Sequence, residues 1–206
     1  MSQPAFVHLR LHSEYSIVDG IVRLEAAVNK AVEDRMPALA LTDLGNLFGM
    51  VKFYQAARKA GLKPIIGCDT WISNELDRDK PFRLLLLAQS YPGYLQLCRL
   101  ISRAYRSNQH RRRAEIRKKW FEEAPSEGLI ALSGALQSDI GTALLQDNRK
   151  QAEKLAEEWK VLFPQRFYIE LHRAGAPHGE HYVQRAVELA SNLKLPVVAT
   201  HPVQFL

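Results

Sequence analysis

The 206-residue sequence lacks several features that would assign it to a protein class at once. Its two cysteines, Cys68 and Cys98, are too few for a disulfide framework or a Cys-rich zinc site. No apolar run reaches about 20 residues, so we expect no segment that spans a membrane. The first residues do not combine a basic start with an apolar stretch, so they do not resemble a secretory signal. These absences predict a cytoplasmic protein.

Glycine-rich phosphate loops of the GxGxxG and GxxxxGK[ST] types are also absent, which disfavours nucleotide-binding α/β sheets. Short apolar runs instead alternate with helical patterns. Strands are predicted over 6–12, 38–43, 63–73, 83–90, 128–134, 166–172 and 196–205, and helices over 22–35, 47–61, 93–106, 148–163 and 178–193. Seven strands with intervening helices predict one parallel α/β domain over residues 1–206, with a barrel as first choice and an open doubly wound sheet as alternative.

Positive charge is concentrated in one segment. The net charge is +6, but residues 93–119 hold nine Lys/Arg against Glu115, which leaves nineteen Lys/Arg against twenty-one Asp/Glu elsewhere. Residues of about 107–127 are predicted to form an irregular surface excursion. A solvated charge run is the simplest interpretation, and contact with nucleic-acid phosphates is the alternative. The candidates are Arg111, Arg112, Arg113, Arg117, Lys118 and Lys119, with Arg99, Arg103 and Arg106 before them.

Polar residues gather at the carboxyl ends of the predicted strands, where α/β folds place their chemistry. They are His8, Arg10, His12, Asp43, Asp69, Ser133, Glu170, His172 and His201. Two histidines near Asp19 suggest a metal site, yet the guanidinium of Arg10 between them has no lone pair to give a metal. A polar rim around a packed barrel is the alternative. These residue types alone therefore leave two interpretations open: a metalloenzyme, or a scaffold whose metal site is lost.

Five stretches carry a family resemblance: HLRLHSEYSIVDG, ALALTDLGNLFGMVKFYQAARKAGLKPIIGCD, GLIALSG, FYIEL and PVVAT. Together they resemble the PHP (polymerase and histidinol phosphatase) domain family. Within it they are most similar to the branch at the amino-terminal end of the alpha subunits of bacterial replicative DNA polymerases. The resemblance runs from Phe6 to the last residue and implies a distorted, TIM-like barrel of seven βα units, the PHP fold.

Active members of this family have nine metal-ligand positions, and the resemblance implies that most are lost here. The positions without a suitable ligand are Arg10, Leu44, Ala135, Ala174, Pro202 and Gln204. His12 and Asp19 are kept, and Asp69 replaces a glutamate. We predict that no metal binds, and that Arg10 replaces it by pairing with Asp19 or Asp69. Asp43 is expected to orient its neighbours or cap a turn. Glu170, His172 and His201 complete the predicted vestigial site.

The resemblance also implies a function. It suggests a domain without catalytic residues that docks the proofreading exonuclease (epsilon) subunit of a replicative polymerase. The palm, thumb and fingers, with the Mg²⁺ that polymerisation needs, would lie beyond residue 206, and contact with DNA and the other holoenzyme subunits would run through that parent chain. The alternative is an active metal-dependent phosphoesterase, either a 3′–5′ exonuclease or a pyrophosphatase.

Overall fold

The computed structural model describes residues 6–124 and 126–205. Within them the strands are β1 (Ala38–Leu41), β2 (Lys63–Ile72), β3 (Phe82–Ala88), β4 (Gln109–His110), β5 (Arg113–Ile116), β6 (Leu129–Leu132), β7 (Phe167–His172) and β8 (Val197–Thr200). The helices are α1 (Leu24–Glu33), α2 (Met50–Lys59), α3 (Tyr91–Ser107), α4 (Trp120–Glu123), α5 (Asp139–Leu145), α6 (Arg149–Leu162) and α7 (Gly179–Leu193). The α/β class is therefore as predicted.

The sheet is mixed, so the prediction of an all-parallel sheet is wrong. Its strand order is β4-β5-β2-β3-β6-β7-β8. Strand β1 pairs with the first half of the long strand β2, and β5 pairs with its end. Strand β3 runs antiparallel to both of its neighbours, β2 and β6. The reason is connection length: the short link over 73–81 cannot provide the crossover of a dozen or more residues that parallel neighbours require.

The predicted first strand, 6–12, does not form a regular strand. Two backbone hydrogen bonds join it to each side. Ala40 N and Thr42 N donate to His8 O and Leu11 O at 2.9 and 3.0 Å, while Val203 O accepts from His12 N at 2.9 Å and Val203 N donates to Arg10 O at 3.3 Å. These contacts link β1 to the segment after β8 through residues 8–12. They are isolated bridges rather than a ladder, so the closed seven-stranded barrel stays a prediction.

The predicted irregular excursion contains regular structure. Strands β4 and β5 form a hairpin, and β5 extends the sheet beside the end of β2. Trp120 and Phe121, which follow the hairpin in α4, are both buried. The ring centroids of Phe121 and Trp159 lie 5.9 Å apart in a T-shaped arrangement. The excursion is therefore anchored to the core by aromatic packing.

Local signals explain where the helices begin. Ser90 caps α3 by accepting from Gly93 N at 3.3 Å, and Pro92 occupies the first turn, where its missing N–H costs nothing. The side chain of Asn148, immediately before α6, accepts from Gln151 N at 3.2 Å. No helix within the described ranges is long and apolar enough to serve as a membrane span.

The main core lies between the sheet and helices α3, α5, α6 and α7, and a second cluster lies between α1, α2 and β1. Cys68 of β2 is fully buried in the main core, and its thiol donates to Asp43 O at 3.3 Å. Burial raises the pKa of this thiol far above its ordinary value. The next residue of β2, Asp69, belongs to the candidate site.

Candidate functional site

Arg10 occupies the centre of the site and joins two strands. Its Nε and Nη2 donate to Glu170 Oε1 and Oε2, each at 2.9 Å, which is the two-pronged geometry that guanidinium and carboxylate groups favour. Its Nη1 donates to Asp69 Oδ2. All three side chains are buried. The predicted pairing of Arg10 with Asp69 is therefore confirmed, while the two-pronged pairing with Glu170 was not foreseen.

Glu170, in the middle of β7, has its carboxylate fully hydrogen-bonded. Thr200 Oγ1 donates to Oε1 at 2.6 Å, Gly134 N donates to Oε2 at 3.1 Å, and His172 Nε2 lies 3.0 Å from Oε1. Burial alone would raise its pKa, but the charge of Arg10 and the hydrogen bonds outweigh burial and lower the pKa to about 2. Glu170 is thus ionised at any physiological pH.

His12 and Asp19 form a second pair next to Arg10. His12 Nδ1 lies 3.0 Å from both Asp19 oxygens, and His12 Nε2 lies 3.2 Å from Asp69 Oδ2. Ser16 Oγ and Gln204 Nε2 donate to Asp19 at 2.8 and 3.1 Å. Burial lowers the pKa of His12, but its contacts with Asp19 and Asp69 outweigh burial and raise the pKa overall. Gln204, at a lost ligand position, therefore serves as a hydrogen-bond donor.

A second arginine, Arg83 of β3, faces the same acids and was missed in the sequence. Its Nη1 lies 3.8 Å from Asp69 Oδ2, and its Nη2 lies 3.9 Å from Asp19 Oδ2. Its guanidinium stacks over the Trp71 ring at 3.9 Å from the centroid. The available signal was a charged residue at the start of the apolar run RLLLLA, where only a paired charge is tolerated.

Opposite charges face one another in the site. Three carboxylates face two guanidinium groups and one imidazole whose pKa is raised. Burial would raise the pKa of Asp69, yet Arg10 and Arg83 outweigh it and hold that pKa far below its usual range. Asp19 shows the same balance: burial opposes ionisation, but His12 lowers its pKa. The site is thus an ion-pair network rather than a cluster of free ligands, in which Asp69 Oδ1 has no hydrogen-bond partner among the described residues.

Asp43 holds the loop that carries His12 and Asp19. Its Oδ1 accepts from Ser13 N at 2.6 Å, and its Oδ2 accepts from Ser13 Oγ at 3.0 Å. Burial raises the pKa of Asp43, against these hydrogen bonds. An orienting role was expected, and the residue it orients is Ser13. The partner could not be read from the sequence, because thirty residues separate the two.

The remaining predicted positions lie around or outside this network. Leu44 is buried and forms an isolated bridge with Asp69, and Ala135 is fully buried in the left-handed region at φ 50°. Ala174 is exposed. His201 is exposed and faces His8 at 6.4 Å between ring centroids; in the described ranges it forms no ion pair with the acids, so its inclusion in the site stays a prediction. Pro202 lies beside it.

The basic hairpin segment is partly neutralised by nearby acids. Arg111 Nη2 lies 2.6 Å from Asp79 Oδ2, and Lys118 Nζ lies 2.7 Å from Glu158 Oε2. Arg113 pairs with the buried Glu115 at 3.4 Å, which Arg78 Nη2 also approaches at 2.9 Å. The ion pairs of the described ranges do not include Arg112, Arg117 or Lys119. Arg117 Nε instead donates to Asn108 Oδ1 at 3.3 Å. Most of the six candidates are thus held by neighbouring side chains.

Comparison with known proteins identifies the family. The model of the PHP domain family matches residues 8–174, which include Arg10, His12, Asp19, Asp69 and Glu170. The chain belongs to the PHP domain family. This PHP domain is also similar to curated proteins named DNA polymerase III subunit alpha. It is 46% identical to that of Pseudomonas fluorescens over 98% of this chain, and 44% identical to that of Escherichia coli strain K12 over 100% of this chain.

The PHP domain spans only 17 to 18% of the length of these relatives. Among solved structures it resembles an amidohydrolase from Chromobacterium violaceum with bound sulfate and no metal, at a TM-score of 0.66 and 13% identity, over 97% of this chain and 88% of that one. A two-domain protein from Bacteroides vulgatus that contains a predicted PHP-like metal-dependent phosphoesterase gives a TM-score of 0.55 and 15% identity, over 96% and 51%. These likenesses concern the fold.

The family resemblance raises the question of whether a metal fits this PHP domain, and the side chains present do not fit one. Arg10 directs three N–H groups at Asp69 and Glu170, where a cation would need their lone pairs. Across the described ranges, no three His, Cys, Asp or Glu side chains are arranged to hold a metal ion.

Proposed function

We propose that this chain is the PHP domain of a bacterial DNA polymerase III alpha subunit and works as a structural and docking module in the cytoplasm. The observation that carries the proposal is Arg10, which supplies positive charge between Asp69 and Glu170 where the family pattern has a metal ligand. In this proposal, Mg²⁺-dependent nucleotidyl transfer belongs to the part of the longer relatives that the chain does not span. The contacts that hold the DNA for polymerisation, and those with the other holoenzyme subunits, run through that part as well.

The loss of metal chemistry follows from charge and geometry. A divalent cation would have to displace a guanidinium that makes three charge-assisted hydrogen bonds in a buried site. It would also meet the second guanidinium, Arg83, within 4 Å of Asp69 and Asp19. Both effects oppose a second or third positive charge at this position.

Elemental analysis tests this part of the proposal. The chain is incubated with Mn²⁺, Zn²⁺ and Fe²⁺, desalted, and the ions per chain are counted. We expect a ratio near zero, equal to that of an Arg58→Gln control, whose substitution is remote from the site. One or more retained ions per chain would instead favour the metal-dependent phosphoesterase, and assays for 3′–5′ exonuclease and pyrophosphatase activity would follow.

An exposed apolar loop supports a docking role. Ile17, Val18 and Ile21 are 82%, 84% and 74% exposed, although large aliphatic side chains usually avoid such exposure when clustered. The loop is not loose, because Asp19 within it is held by Ser16, His12 and Gln204. A fixed loop that presents adjacent aliphatic side chains is typical of a protein-binding surface. We assign the docking of the proofreading exonuclease subunit to this loop.

Binding of the purified proofreading exonuclease subunit, measured by calorimetry, tests the assignment. Ile17→Ser/Val18→Ser is expected to weaken binding by tenfold or more, since buried aliphatic anchors dominate such interfaces. Leu76→Ser/Val161→Ser removes two equally exposed aliphatic side chains elsewhere and should leave binding unchanged. Equal losses in both variants, or unchanged binding in the first, would exclude the loop as the docking surface.

A further inference from the structure

Helix α3 presents a row of arginines that the proposed function does not use. Arg99, Ser102, Arg103 and Arg106 line one open groove along the exposed side of the helix. Arg103 is engaged, because it pairs with Glu123 at 2.5 Å and stacks over the Trp120 ring at 4.2 Å. Within residues 6–124 and 126–205, Arg99 and Arg106 form no ion pair, and none of the side chains that line the groove is acidic.

The hairpin that follows α3 adds an independent observation. Its two turn residues, Arg111 and Arg112, both lie in the left-handed region, at φ 46° and 65°. A two-residue turn of this kind strongly favours Asn-Gly, and a left-handed conformation costs other residues roughly 1–2 kcal/mol each. Strained positions of this type often persist because their side chains have a function. Here the strained turn presents two guanidinium groups, of which Arg112 is exposed and without an ion pair in the described ranges.

We propose that the groove of α3 and the tip of this hairpin bind the phosphate backbone of duplex DNA. Arg99 and Arg106 are seven residues apart, about 10 Å along the helix axis, so they can reach separate phosphates. Arg112 lies six residues after Arg106, across the short strand β4. The side chains that line the groove include no aromatic ring on which an unstacked base could pack, within the part of the chain that the structure describes. Charge contacts to a duplex, which carries one phosphate per about 1.7 Å, therefore suit this surface better than a single strand.

The expected binding is weak, independent of sequence and steeply dependent on salt. Three phosphate contacts, from Arg99, Arg106 and Arg112, predict a slope of roughly −2.7 for log K against log salt concentration. Between 50 and 200 mM salt the affinity should fall about 40-fold. Arg103 and Arg111 are left out of this count because Glu123 and Asp79 already neutralise them.

Fluorescence anisotropy of a labelled 20-base-pair duplex, titrated with the chain at several salt concentrations, tests the proposal. Arg99→Gln/Arg106→Gln should reduce the slope by roughly 1.8 and weaken binding at 50 mM salt by at least tenfold. Gln and Arg have similar helix propensities, so the fold should be retained, which circular dichroism checks. Arg58→Gln/Lys59→Gln removes the same charge from exposed positions of α2 and should keep the slope of the unmodified chain.

Three results would overturn the proposal. The first is the absence of measurable binding by the unmodified chain at 50 mM salt. The second is a salt slope in Arg99→Gln/Arg106→Gln equal to that of the unmodified chain. The third is an equal loss of slope in the α2 control, because that would assign the interaction to net charge rather than to this surface.

Discussion

Replacing Arg10 with methionine is the perturbation that probes the ion-pair network most directly. Methionine keeps much of the volume but removes the charge that Asp69 and Glu170 share. Breaking a buried pair from one side leaves uncompensated charge and typically costs about 3–5 kcal/mol. The pKa of Glu170 gives a second estimate of this free-energy cost, and it is of similar size. Lowering the pKa of Glu170 from 4.5 to about 2 is worth on the order of 3 kcal/mol at neutral pH. Since domains are stable by only about 5–15 kcal/mol, Arg10→Met should remove a large part of the stability.

Urea unfolding followed by circular dichroism measures this loss. Arg149→Met is the control, because Arg149 forms an exposed pair with Glu153 and should change the free energy of unfolding by less than about 0.5 kcal/mol. Adding Glu170→Gln to Arg10→Met should restore part of the stability, because it removes one of the orphaned charges. A cost below about 1 kcal/mol for Arg10→Met, or a double variant whose losses simply add, would refute the idea that Arg10 compensates these acids.

Three further predictions concern pH, the hairpin and a close backbone contact. The depressed pKa values of Glu170, Asp69 and Asp19 mean that their stabilisation is complete above about pH 4.5 and is lost as the pH falls toward 2. The raised pKa of His12 means that its stabilisation is complete below pH 6.5 and is lost at higher pH. Together these effects predict that the midpoint of urea unfolding is highest between about pH 5 and 6.5. A midpoint that does not change from pH 3 to 9 would contradict the ion-pair network. Replacing Arg111-Arg112 with Asn-Gly should raise the melting temperature by about 2–4 °C for each kcal/mol of strain relieved, and a lower melting temperature would argue against a strained turn. Gly93→Ala should destabilise the fold by more than about 2 kcal/mol, because the added Cβ would lie 1.8 Å from Gly128 O. Gly179→Ala is the control: a Cβ at this position has no neighbouring atom within 4 Å, so this variant should be neutral or stabilising in the same thermal melts.

Helix positions could be predicted because local signals encode them, and the pairing of Arg10 with Asp69 could be predicted from guanidinium chemistry together with the family resemblance. Apolar spacing predicted a helix over 148–163, and α6 covers Arg149–Leu162 with Asn148 as its cap. After the family resemblance was considered, Arg10 was predicted to pair with Asp19 or Asp69, and it does pair with Asp69. The helix prediction needs only neighbouring residues, whereas the pairing also needed the family pattern.

The parts that were wrong or missed depend on contacts between distant segments. The reversed direction of β3 could have been predicted from its short link to β2, but the pattern RLLLLA by itself carries no direction. Glu170 lies 160 residues from Arg10, and nothing in its surroundings indicates that it, rather than Asp19, receives the guanidinium. The hairpin within 107–127 was not predicted, because two arginines occupy turn positions that usually favour Asn-Gly.

Because Cys68 is buried, alkylation of its thiol can report local opening of the sheet at β2. Only the thiolate reacts with alkylating reagents, and burial both covers this thiol and raises its pKa. Labelling at Cys68 therefore requires β2 to separate from its neighbours, whereas Cys98 on α3 is half-buried at the surface. Because Asp69 follows Cys68 directly, the rate of thiol trapping measures how often the strand that carries this acid of the ion-pair network becomes accessible, without any added label in the protein.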